Sequence, residues 1–172
     1  MAQKKRSAAR EPAAPADSAL KEVTIYTDGA CKGNPGPGGY GVVLLFNGRR
    51  KELAGGYRRT TNNRMELLAA IRGLEALTQR CQVQLFSDSE YVVNAISKGW
   101  ARGWRARGWR RSNKEPALNP DLWERLLELC EQHEVDFRWV RGHSGDEENE
   151  RCDKLAVEAA QSPNLLEDEG YR

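Results

Sequence analysis

The chain has 172 residues, 27 basic and 25 acidic side chains, a formal net charge of +2 and 39% hydrophobic residues. That is one globular domain with a short remainder, and no apolar run approaches the ~20 residues of a membrane span. Its four cysteines lie far apart without a CxxC pair, which argues against a disulfide framework or a zinc site and for reduced thiols in the cytoplasm.

Residues 1–20 are rich in Ala, Pro and charge and lack apolar periodicity, so they read as a disordered tail ahead of a domain spanning 21–172. Val23–Asp28 alternates as a strand, and Gly29 to Gly39 reads as a glycine- and proline-rich loop. Gly41–Phe46 is a second strand, Asn47-Gly48 a hairpin turn, and a third strand runs to about Tyr57. Met65, Leu68, Ile71 and Leu74 give residues 63–78 helical spacing. Val83–Asp88 is a strand and residues 90–97 a helix. After a basic, Trp-rich stretch, Asp121–Gln132 is an amphipathic helix, Val135–Val140 a fifth strand and residues 148–161 a last helix. A three-strand meander followed by α/β units predicts an α/β fold with a mixed sheet and helices on its faces.

Four carboxylates stand out against this frame. Asp28 and Asp88 each end a strand, and parallel neighbouring strands would bring them to one sheet edge, where open α/β sheets bind ligands. Taken alone, Asp28-Gly29 also suits a turn and Asp88-Ser89 a helix cap. Glu66 is followed by Ala69, Ala70 and Gly73, and Asp153 by Ala156, Val157 and Ala160, at i+3, i+4 and i+7 on their helices. Glu66 also fits a capping box begun by Asn63, and Asp153 a helix-start acid that favours the dipole. Converging carboxylates need a cation, and an all-oxygen donor set suits Mg²⁺ or Mn²⁺. Two such ions ~3.5–4 Å apart suit phosphodiester chemistry.

The glycines of Gly36-Pro-Gly-Gly-Tyr-Gly41 match a dinucleotide fingerprint formally. They run into a strand rather than a helix, so that reading, and an oxidoreductase with it, is rejected. They read instead as a close backbone approach to substrate or a wide turn. The net charge is a cancellation. Residues 1–97 carry +5, residues 98–114 seven cations and no acid, and residues 115–172 carry −10. In the middle segment Trp100, Trp104 and Trp109 interleave with Arg102, Arg105, Arg107, Arg110 and Arg111, a combination that suits phosphates and base or sugar faces better than a membrane surface. His143 lies between glycines in Arg141-Gly-His-Ser-Gly145, which suits a mobile proton shuttle.

Together these blocks resemble ribonuclease H type 1 in its single-domain bacterial form: Tyr26–Gly41, Thr60–Ile71, Ser87–Ser89, the Trp-rich stretch and Val140–Ala156, in that order. The resemblance covers roughly residues 22–172. It implies a five-stranded mixed sheet flanked by helices, and endonucleolytic cleavage of the RNA strand of an RNA–DNA hybrid by two Mg²⁺, leaving 5′-phosphate and 3′-hydroxyl ends. It implies that Asp28, Glu66, Asp88 and Asp153 are metal ligands and that His143 aids proton transfer or product release. By the same likeness Cys31, Asn34, Asn62 and Asn63 line the minor groove, Thr61 and Asn119 grip a DNA phosphate, and the stretch holding Trp100, Trp104, Arg105, Arg107 and Trp109 holds the DNA strand. Glu90 departs from the pattern, standing where relatives often carry Gln. A monomer is expected, with no membrane partner. A hybrid-binding module without catalysis is the alternative, and the complete set of four acids argues against it.

Overall fold

The computed structural model describes residues 20–171; the expected tail lies outside them, apart from Leu20. Three antiparallel strands come first, β1 (Lys21–Cys31), β2 (Gly36–Phe46) and β3 (Arg49–Thr60). Then follow α1 (Asn62–Glu75), β4 (Cys81–Ser87), α2 (Glu90–Ser97), α3 (Trp100–Ala106), α4 (Pro120–Gln132), β5 (Glu134–Trp139) and α5 (Glu147–Ala160). The strands form one mixed sheet in the order β3-β2-β1-β4-β5, with β1, β4 and β5 parallel.

One face carries α1, whose Met65, Leu67, Leu68, Ile71 and Leu74 bury against Ile25, Val42, Val83 and Leu85. Gly73 brings that helix close, since a Cβ there would stand 2.9 Å from Ile25 Cγ2. Helices α2, α3 and α4 extend this core around the fully buried Trp123. Thr61 caps α1, its hydroxyl oxygen accepting from the Arg64 N–H at 3.2 Å, so the box suggested by Asn63 and Glu66 does not form.

The opposite face is covered by α5, and here the glycine run finds its purpose. Of the expected loop, residues 29–31 belong to β1 and residues 36–39 to β2, so only residues 32–35 separate the two strands. A Cβ at Gly39, Gly41 or Gly56 would collide with the carbonyl oxygens of Ala156, Cys152 and Ala159 respectively. The glycines therefore admit a helix backbone rather than a substrate. Leu166 in the C-terminal segment pairs with β3, exchanging backbone bonds with Gly56 (3.0 Å) and Arg58 (2.8 Å).

Candidate active site

In the parallel β1–β4 pair, Thr27 lies opposite Ser87. Asp28 and Asp88 are the next residue along each path, so both carboxylates emerge at one edge of the sheet. The start of α1 packs directly on β1 because residue 29 is glycine; a Cβ there would lie 2.5 Å from Glu66 N and 2.8 Å from Met65 Cβ. Carboxylate oxygens of Asp28, Glu66 and Asp88 consequently lie within 4.8 Å of one another. No other such group of three converges among the described residues.

This trio is electrostatically strained. Asp28 is 4% exposed and Glu66 5%. Asp28 Oδ1 accepts the Gly29 N–H at 2.9 Å, but Glu66 Oε1 is buried with no hydrogen-bond partner. At an effective dielectric of ~20, each ionised pair 4.8 Å apart repels by roughly 3.5 kcal/mol, so three charges oppose folding by roughly 10 kcal/mol, comparable with a whole domain's stability. Protons or cations must relieve this. Burial first, then the Asp88 charge, pushes Asp28 up to about 8. Glu66 is held well above the usual carboxylate range, by burial first and then by Asp28 and Asp88. The donor set is all oxygen, and its orphaned Glu66 oxygen is the acceptor a hard divalent cation takes. These residues fit such an ion.

The β5–α5 connection presses on Asp88. The Trp139 indole N–H donates to the Asp88 carbonyl at 3.2 Å and the Val140 N–H to the Ser87 carbonyl at 3.0 Å. A Cβ at Gly142 would stand 2.8 Å from Asp88 Oδ2. Ser89, not Asp88, caps α2, accepting from the Val92 N–H at 3.2 Å, and Asp88 is thereby left for the trio. His143 is exposed on the same connection, in left-handed conformation with φ 56°.

Asp153 falls outside the cluster of three. It sits in the second turn of α5, where Asp146 already caps the helix, so it is no helix-start acid. Its neighbour Cys152 turns inward, the thiol donating to the Tyr26 carbonyl at 3.2 Å, and leaves Asp153 half-buried beside the sheet. Its charge still reaches Asp28 and helps raise it.

A polar edge adjoins this site. The Cys31 thiol donates to the Thr60 carbonyl at 3.3 Å, and Asn34 Oδ1 accepts the Asn62 N–H at 2.8 Å. The β1–β2 turn and the start of α1 are thus tied together, with Asn63 exposed beside them. Asn119, left-handed at φ 57°, precedes α4.

The basic segment differs from its linear charge count. Arg105 is paired with Glu131 at 2.7 Å and Glu124 at 3.6 Å, acids that α4 supplies in space although none is near in sequence. Trp104 packs edge-on against Trp123 at 5.6 Å, and Trp109 is half-buried against the core, so both support the segment rather than offering open faces. Trp100 is 43% exposed, with Lys98 Nζ 5.5 Å from its ring. It borders a groove of about 410 Å³ shared with Arg107 and Arg111. A groove of about 490 Å³ at the opposite end of β1, lined by Lys21, Phe46 and Leu77, lies away from the carboxylates.

Three residues near the site were not singled out by sequence. Trp139 carries no pattern of its own in the sequence, and Gly142 reads only as a source of mobility. Arg64 bonds Asp168, 104 positions away, a pairing no local pattern announces.

The family profile for RNase H matches residues 20–161. The chain belongs to the ribonuclease H family. A ribonuclease H of Desulforamulus reducens is 71% identical over 146 residues, covering 85% of this chain and 92% of the relative. The structure of LC9-RNase H1, a type 1 RNase H with the type 2 active-site motif, superposes with a TM-score of 0.74 at 35% identity, covering 83% of this chain and 73% of that one. LC11-RNase H1, solved in complex with an RNA/DNA hybrid, gives 0.63 at 30% identity, covering 81% and 96%. The family is one of metal-dependent endoribonucleases, and the solved members LC9-RNase H1 and LC11-RNase H1 share this chain's fold. No helix among the described residues is long and apolar enough to cross a membrane.

Proposed function

We propose that this chain hydrolyses the RNA strand of RNA–DNA hybrids at internal phosphodiesters, leaving 5′-phosphate and 3′-hydroxyl ends. The observation that carries the reading is the buried trio Asp28, Glu66 and Asp88 with an unpartnered Glu66 oxygen. The hybrid in the LC11-RNase H1 complex supports the choice of substrate.

Asp28, Glu66 and Asp88 would hold divalent cations, two Mg²⁺ with Mn²⁺ as substitute, and Asp153 would complete the set from α5. The bound ions supply an activated water and charge stabilisation at the phosphoryl group. The chain's own groups do the rest. His143, exposed on its loop, takes or delivers a proton at the departing 3′ oxygen. Cys31, Asn34, Asn62 and Asn63 form the edge that meets the minor groove, where a 2′-hydroxyl distinguishes RNA from DNA. Thr61 and Asn119 take a DNA phosphate. Trp100 and Arg107 contact the DNA strand directly, while Trp104, Arg105 and Trp109 hold that segment in place. The protein acts as a monomer in the cytoplasm, where its four free thiols stay reduced.

The test is product analysis on an end-labelled hybrid with all-DNA and all-RNA duplex controls. RNA fragments from the hybrid alone, made only with divalent cation, are expected. Cleavage of either control at a similar rate, or none of the hybrid, would contradict the assignment.

A further inference from the structure

Arg64 is 2% exposed, and every one of its guanidinium N–H groups is committed. Nε–H donates to Asp168 Oδ2 at 2.7 Å, and Nη2 to Asp168 Oδ1 at 3.0 Å and Asp121 Oδ2 at 2.7 Å. Nη1 donates to Asp121 Oδ1 at 3.0 Å and to Asn119 Oδ1 at 3.2 Å. Five donors meet five acceptors, so Arg64 has nothing left to offer a ligand.

The bond to Asn119 settles an orientation. A guanidinium cannot accept, so the amide oxygen must face Arg64 and the amide NH₂ must face away from it. The same residue orients Thr61. Its backbone N–H occupies the Thr61 hydroxyl oxygen at 3.2 Å, which leaves the hydroxyl proton free to point elsewhere. Two neutral side chains are thereby left presenting donors. Oxygen acceptors, such as those of a phosphodiester, are what two such donors recognise.

The C-terminal segment completes the device. Asp168 also accepts from the Thr60 hydroxyl at 2.6 Å, and Leu166 is bonded along β3. Gly170 lies directly on the Arg64–Asp121 pair; a Cβ there would stand 2.6 Å from Arg64 Nη2.

We propose that Arg64 and Asp168 are positioning residues for substrate: acting through the Arg64 guanidinium, Asp168 holds the Asn119 amide with its NH₂ turned toward a backbone phosphate of the duplex. This rests on the functional reading above and deepens it. The C-terminal segment is thereby part of the grip on nucleic acid although it touches none.

The experiment is a double-mutant cycle of Asn119→Asp and Asp168→Asn in the full chain, reading KM and kcat on hybrid well below Tm, with Tm measured separately. Asn119→Asp keeps an acceptor for Arg64 and replaces the outward donor, so it should hold or raise Tm and raise KM on the order of tenfold. Asp168→Asn should raise KM severalfold while kcat changes less than twofold, and should add little to KM in the Asn119→Asp background. It should lower Tm in both backgrounds. An unchanged KM in either single variant, or the same factor for Asp168→Asn in both backgrounds, would overturn the proposal. The Asn119 side-chain amide resonances give a readout without substrate. They should be sharp in the wild-type protein and broadened by Asp168→Asn, and an unaffected signal would also overturn it. Absence of wild-type hybrid cleavage would instead refute the functional reading, with the amide resonances still deciding the role of Arg64.

Discussion

Arg64 and Glu66 stand two residues apart in the first turns of α1, and both are buried. Arg64 has five acceptors for five donors and two carboxylates against its charge. Glu66 has an oxygen with no partner and two further carboxylates pressed against it. Burial costs each of them hydration, but only one recovers it within the protein. Burial alone does not mark a functional charge. The mark is a charge whose missing partner must come from outside, and here the two cases share one helical turn.

The sharpest way to break this contrast is Asp28→Asn. If the trio is completed by cations that do chemistry, this change should lower single-turnover cleavage by several kcal/mol of barrier, roughly a thousandfold, while hybrid binding survives. Activity near wild type would remove the distinction. The stability counterpart is Arg64→Ala, which leaves the nearly buried Asp168 without a cation while the exposed Asp121 regains water, and should cost ~3 kcal/mol in denaturant unfolding. Glu66→Gln should act oppositely in chelator and raise Tm, because burial holds the Glu66 carboxyl well above its usual range and folding at neutral pH must take up a proton that Gln does not need. A fall in Tm would show that Glu66 is structural after all.

Much of this was legible in sequence, and the remainder was hidden for physical reasons. The sequence brings Asp28 and Asp88 to one edge only if their strands are parallel neighbours, a condition met by the order of the sheet rather than by any local pattern. Glu66 could be placed on a helix flank by its small neighbours. The glycines of β2 misled, because a run that looks like loop chemistry serves a helix contact made over 100 residues later, at Cys152 and Ala156. Arg105 looked free because its partners, Glu124 and Glu131, belong to a helix that only the fold brings near. Asp153 was grouped with the trio by motif, and the packing of Cys152 against β1 sets it beside the others rather than among them.

A smaller effect tests the loop that touches Asp88. His143→Ala should reduce the rate on the order of 10²-fold with hybrid affinity nearly intact. A loss of affinity instead would make His143 a binding group. The basic segment should show the smallest changes, and they should sort by pairing. Arg107→Ala and Arg111→Ala should each flatten the dependence of log K on log salt by about one unit. Arg105→Ala should flatten it less, since Glu131 and Glu124 already neutralise that side chain. Equal slopes for all three would restore the linear reading of the charge.

The central claim is that the trio is completed by a divalent cation that displaces protons. Asp28 rises to about 8 from an ordinary 3.8, so in cation-free protein it is mostly protonated at pH 7 and must ionise to bind a metal. Apparent Mg²⁺ affinity should therefore climb with pH through about 8, as the raised Asp28 and Glu66 carboxyls give up their protons. The direct measurement is Mg²⁺ titration calorimetry at pH 7 in buffers of different ionisation enthalpy. Net proton release on binding, abolished together with tight binding by Asp28→Asn, is the predicted result. Binding without proton release, or unaltered in that variant, would contradict the account.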